Sequence, residues 1–141
     1  MEQNLYKALQ NPPTLSELAV LVLYAQSVTH PYMHVVHAPG IKTTNLLSLG
    51  PLHVRLKAHI RMLQDNPSVI LGPNASYLYG SFDSLAWENP LAVETVLRMA
   101  PDLPYLEPLL VTFLQGAADT WECFTSEFAV DGLIDLASDA E

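Results

Sequence analysis

A chain of 141 residues, half of them hydrophobic and 15% charged, with a net charge of −9, is long enough to bury one core and too apolar to be disordered. Its single cysteine, Cys123, excludes an internal disulfide framework, and an intracellular address, cytoplasmic or nuclear, is the expectation. Met1-Glu-Gln-Asn-Leu-Tyr6 lacks the basic start and apolar run of a signal peptide, and the most apolar run, Leu18 to Tyr24, is far short of the ~20 residues that cross a bilayer.

The first element is a short helix over Glu2 to Gln10, with Leu5 and Leu9 on one side, ended by Asn11-Pro12-Pro13. Thr14 with Glu17 three residues on reads as a capping box for the next helix. Leu15, Leu18, Ala19, Val22 and Ala25 mark one face of that helix, and Val20, Leu21, Leu23 and Tyr24 fill much of the rest. A helix apolar nearly all round belongs in the centre of a bundle. Pro31 is expected to bend or stop it near Thr29-His30, and Ala38-Pro39-Gly40 to break the chain.

Gly50-Pro51 starts the clearest helix, with Leu52, Leu56, Ile60 and Leu63 on its buried face. His53, Lys57, Arg61 and Gln64 form a polar stripe on the same helix, which Asn66-Pro67 closes. Residues 68–88 are the least helical: Gly72 to Ser76 and Gly80 to Ser84 are turn-rich, and Tyr77, Tyr79, Phe82 and Trp87 supply anchors. They read as a long loop pinned to the bundle by aromatics, with one or two of the rings left to meet a partner; a hairpin over Gly72 to Ser81 is the lesser alternative. Asn89 and Pro90 cap and begin a helix that sends Leu91, Val93, Val96 and Leu97 to the core. Pro101 and Pro104 make a rigid link. A last long helix runs from Tyr105 to about Phe128, with Leu109, Val111, Phe113, Leu114, Ala117, Trp121, Phe124 and Phe128 on its apolar side and Gly116 at a close crossing or kink. Asp131 to Ala140 mixes aspartates with Leu133, Ile134 and Leu136, as a short docked helix or a loose acidic tail. The expected fold is all-α: one domain over residues 1–141, a compact bundle of five to seven helices with one long aromatic-rich loop.

Chemistry-bearing residues are few. His30, His34 and His37 share a helical face, and imidazole is the commonest ligand of zinc, copper or nickel. Pro31 interrupts them, a fourth ligand is not evident, and neither His-Glu-x-x-His nor Cys-x-x-Cys occurs. Histidines that cap helix-end carbonyls are the preferred reading, and no metal or other cofactor is expected. Cys123, between Trp121 and Phe124 in acidic surroundings, reads as a buried filler rather than a nucleophile. Asp83, Glu88, Asp119 and Glu122 stand where a helical surface would place them, and no catalytic motif appears. Non-catalytic work is therefore expected, with a small metal-dependent enzyme as the weakest alternative.

Charge is unevenly spread. Residues 1–64 hold five Lys/Arg against two acids, a net +3, while residues 65–141 hold Arg98 alone against thirteen acids, a net −12. Low charge density and this polarity point to a protein–protein interaction or assembly module, most simply a homodimer. His53, Lys57 and Arg61 would then face Asp119 and Glu122, or Asp131 and Asp135, of a second copy, or the same groups within one chain. Lys57 and Arg61 are also the best candidates for touching nucleic acid, although an acidic domain repels it.

Overall fold

In the computed structural model, residues 2–37 and 49–126 are described. Every regular element among them is helical: α1 (Glu2–Gln10), α2 (Pro12–Tyr24), α3 (His30–His37), α4 (Leu49–Asp65), α5 (Ser68–Leu71), α6 (Tyr77–Gly80), α7 (Pro90–Met99) and α8 (Leu106–Phe124). The hairpin alternative is excluded: residues 72–81 hold turns and the single helical turn α6. Ala38-Pro39-Gly40, Phe128 and the acidic segment from Asp131 lie outside the described residues.

The centre is α4 laid along α8, the most extensive packing among the described helices, with α2 against α8 as well. Leu56, Ile60 and Leu63 of α4 and Leu106, Leu110 and Leu114 of α8 are fully buried at this seam. Each is worth ~1.5–3 kcal/mol relative to an exposed side chain, so this one seam carries much of the fold. Val20 and Leu23 of α2, Val93 and Val96 of α7, and Ile70 of α5 are buried as well.

Two helix starts follow their sequence differently. Asn89 caps α7 as its amide dictates, Oδ1 accepting from the Ala92 N–H at 3.2 Å with Pro90 next. Thr14 does not cap α2. The helix begins at Pro12, with Asn11 at the cap position, because two prolines without N–H groups fit a first turn whose donors have no helical acceptor.

Pro31 does not stop the chain either. α2 widens into one π-turn, Ala25–Thr29, and continues as α3 through the proline. Pro31 has no N–H for the carbonyl four residues back, that of Ser27, and this carbonyl accepts from the Phe82 amide at 2.9 Å. The expected break is thus a point of attachment for the loop before α7.

Several apolar positions face away from the core. Leu91 on α7 and Phe124 on α8 are exposed, because Val93 and Val96, and Leu110, Leu114 and Ala118, already fill the inward faces. Cys123 is exposed rather than buried. A Cβ added at Gly116 would meet nothing within 4 Å, and α8 runs through it unbroken, so the expected close crossing is absent at that position. The face of α2 set in the core is Ser16, Ala19, Val20 and Leu23, so Leu18 and Leu21 stay exposed on a helix expected to be central.

Candidate functional site

The stripe on α4 turns inward. His53 is buried, its ring 6.0 Å from that of Tyr32 and 5.7 Å from that of Trp121. Its Nε2 lies 3.1 Å from the Tyr32 hydroxyl. Burial, and then the Lys57 charge, hold the His53 pKa below the usual imidazole value. Trp121 Nε1 donates to the Tyr24 hydroxyl at 3.0 Å, tying α8 to α2, and burial raises the Tyr24 pKa against that bond.

One turn further, Lys57 Nζ is 3.4 Å and Arg61 3.5 Å from the same Glu122 oxygen, and the Lys57 side chain is only 12% exposed. Gln64 donates to Gln115 at 2.7 Å, and Gln115 to Asp119 at 3.0 Å. His53, Lys57 and Arg61 therefore meet α8 of their own chain, one of the two arrangements the sequence allows. The Arg61–Glu122 pair, with both side chains more than half exposed, contributes ~0–1 kcal/mol. Arg61 nonetheless keeps 60% of its side chain exposed. Asp131 and Asp135, the other acids expected to face this stripe, lie outside the described residues.

The loop before α7 is held from three sides. Phe82 N–H reaches the Ser27 carbonyl, Asn89 N–H reaches Gln26 Oε1 at 2.9 Å, and His59 Nε2 lies 3.1 Å from the Gly80 carbonyl. Burial lowers the His59 pKa, while its bonds to the Gly80 and Ser27 carbonyls oppose the shift. Phe82 is buried, with the His59 ring 5.7 Å away and the Arg55 guanidinium 5.6 Å from its centroid. Trp87 is packed against the core and meets Tyr77 edge-on at 6.4 Å. Phe82 and Trp87 are thus the anchors, Tyr77 is partly open, and Tyr79 stands in solvent at 73% exposure.

His30 and His34, brought onto one face by the unbroken α3, meet carboxylates of the loop instead of capping carbonyls. His30 Nδ1 is 3.0 Å and His34 Nε2 3.4 Å from Glu88 Oε2, and His34 Nδ1 is 3.5 Å from Asp83 Oδ2. His37 is exposed at the end of the helix. Asp83 is not a surface group, for its side chain is 8% exposed. Burial pushes its pKa up, but the Ser81 hydroxyl, the Leu85 amide and His34 outweigh this and hold it below the ordinary carboxylate value. Among the described residues, no group of three or more His, Cys, Asp or Glu is arranged to hold a metal ion.

Open clefts mark the surface of the described residues, three of them notable. One of about 570 Å³ lies between α5 and the start of α8, lined by Leu71, Leu97, Leu103 and Glu107 among others. A notch of about 400 Å³ sits over Gly116, between Tyr24, Phe113 and Trp121. A groove of about 390 Å³ runs between α2 and α7, lined by Leu15, Leu18, Ala19, Val22, Leu91, Ala92, Thr95, Val96 and Met99 with Asn89 at its end. The third carries no charge. It is the feature that reading by core faces missed: the sequence marked Leu15, Leu18, Ala19 and Val22 as one face, and the structure leaves this face as the wall of an open groove. The surplus of apolar residues around α2 was the available signal.

Among the described residues no helix is long and apolar enough to cross a membrane. Comparison with known proteins gives no relative to argue from: no family model, no curated protein and no solved structure matches this chain.

Proposed function

We propose that this chain is a non-catalytic helical interaction module that associates with itself through an apolar face built on α2 and α7. The observation that carries this reading is the uncharged groove between those helices, with Leu18 and Leu91 exposed at 42% and 66%. Contiguous apolar surface on a protein with few charges is a docking face before it is anything else. Leu5, Tyr6 and Leu9 of α1 are exposed apolar side chains as well. The in-chain pairing of Lys57 and Arg61 with Glu122 supports apolar contact, rather than the opposed charges of the two halves, as the source of affinity. Light scattering coupled to gel filtration, run across concentration and salt, tests the reading. Mass above the 15.5 kDa of one chain, rising with concentration and little changed by salt, is expected. A strict monomer throughout overturns it.

A further inference from the structure

α1 is a helix without a core. It has nine residues, and none whose side chain is described is buried. Helices shorter than ~12–15 residues are marginal in water unless a packed face supports them. Leu5 and Leu9, four residues apart, give α1 such a face, with Tyr6 beside it and Glu2 one turn before Leu5. The α2–α7 groove has the opposite need: apolar walls and no occupant among the described residues, with no α1 residue in its lining.

α1 is unable to enter the groove of its own chain. Only Asn11 separates it from α2, and Pro12 and Pro13 fix the first turn of α2. Folding one helix back along the next takes a connection of about two to five residues. The groove that α1 can reach is therefore that of another molecule.

Resting on the self-association proposed above, we infer that two copies exchange α1, each seating its Leu5–Leu9 face in the α2–α7 groove of the other. Charge fixes the direction. Glu2 and Leu9 are seven residues apart, as are Leu91 and Arg98, which is about 10.5 Å on each helix. Laid antiparallel to α7 of the second copy, α1 puts Leu9 at Leu91, Leu5 at Thr95 and Glu2 at Arg98. Glu2 and Arg98 are both exposed and have no ion-pair partner among the described residues. The parallel alternative carries Glu2 toward Leu91 and leaves both charges unmatched. The exchange is two-fold, since each chain offers one helix and one groove, and it closes at two copies.

The test uses full-length chains and complementation. Leu5→Glu with Leu9→Glu spoils the helix, and Leu18→Glu with Leu91→Glu spoils the groove; all four positions face solvent within one chain, so circular dichroism of each variant should match the parent. Each variant alone is expected to weaken association at least 100-fold. Mixed in equal amounts, they should form a heterodimer, because the intact α1 of the groove variant fits the intact groove of the helix variant. Should the quadruple set disturb folding, Leu9→Ser and Leu91→Ser give the same comparison with smaller changes. Glu2→Arg and Arg98→Glu should each weaken the dimer about two- to five-fold, as for exposed pairs, and restore it when combined. A parent chain that stays monomeric sinks both this inference and the reading beneath it. A parent dimer indifferent to the α1 and groove variants, or a mixture that fails to pair, overturns the exchange alone and leaves self-association standing.

Discussion

Two glycines should respond to alanine with opposite signs. Gly80 closes α6, and a Cβ there would lie 2.6 Å from Ile70 Cγ2 and 3.0 Å from the Trp87 ring. Carbon atoms rest ~3.5–4.0 Å apart, so the first contact is short by about 0.9 Å. Ile70 is fully buried and its branched side chain has little χ1 freedom, and Trp87 is packed against the core, so neither neighbour yields easily. Overpacking of this kind costs about 1–3 kcal/mol, and a shift of Gly80 also disturbs its carbonyl bond to His59. Gly116 is the counterpart. It lies mid-helix in α8 with nothing within 4 Å of the added Cβ, so Gly116→Ala should stabilise by about 0.4–1 kcal/mol through helix propensity alone. Urea denaturation followed by circular dichroism reads both, as midpoints displaced in opposite directions at unchanged slope. A neutral Gly80→Ala, or a destabilising Gly116→Ala, would refute the packing described for the loop or the openness described for α8.

Three further outcomes are expected. His53 and His59 have lowered pKa values in the fold, so below the unfolded imidazole value of ~6.5 the unfolded chain binds protons that the folded chain refuses. Stability should be full above that pH and fall as pH drops through 6 towards the folded values; unfolding midpoints between pH 5 and 8 check this, and a flat profile contradicts the desolvation of the buried His53 and half-buried His59 rings. Glu122→Gln should cost at most about 1 kcal/mol, less at high salt, and leave the oligomeric mass unchanged, because Lys57 and Arg61 pair with it inside one chain. Ile60→Ala, at the fully buried α4–α8 seam, should cost about 2–5 kcal/mol by urea denaturation, and a loss under 1 kcal/mol would place the core elsewhere.

The apolar face of α4 was readable residue by residue, since Leu52, Leu56, Ile60 and Leu63 recur at helical spacing with nothing to compete, and all four are buried. The start of α7 was readable too, because an Asn-Pro pair satisfies orphan donors whatever surrounds it. Other positions looked as legible and were not. Leu91 and Phe124 have the hydrophobicity of core residues, and Cys123 the habit of one, yet all three are exposed. Composition says that a residue suits the interior; it does not say which face of a helix the remaining elements cover.

The candidate sites divide along the same line. That the histidines of α3 and the cations of α4 lie on helical faces was fixed by spacing along the chain, which local geometry enforces. What those faces meet was not. His30 and His34 reach Glu88 and Asp83 because the chain passes Pro31 by a π-turn and the Ser27 carbonyl takes the Phe82 amide, a contact across 55 positions of sequence. Lys57 and Arg61 find Glu122 in their own chain because α8 returns along α4. Sequence by itself determined the helices α4 and α7, the cap at Asn89 and the stop at Asn66-Pro67, since these depend on neighbours within about four residues, whereas α5 and α6 formed in a stretch that reads as loop. Only the tertiary structure decided that the polar stripe meets α8 of its own chain and that the α2–α7 face is left open, because both depend on how a fixed set of helices shares too much apolar surface for one core to cover.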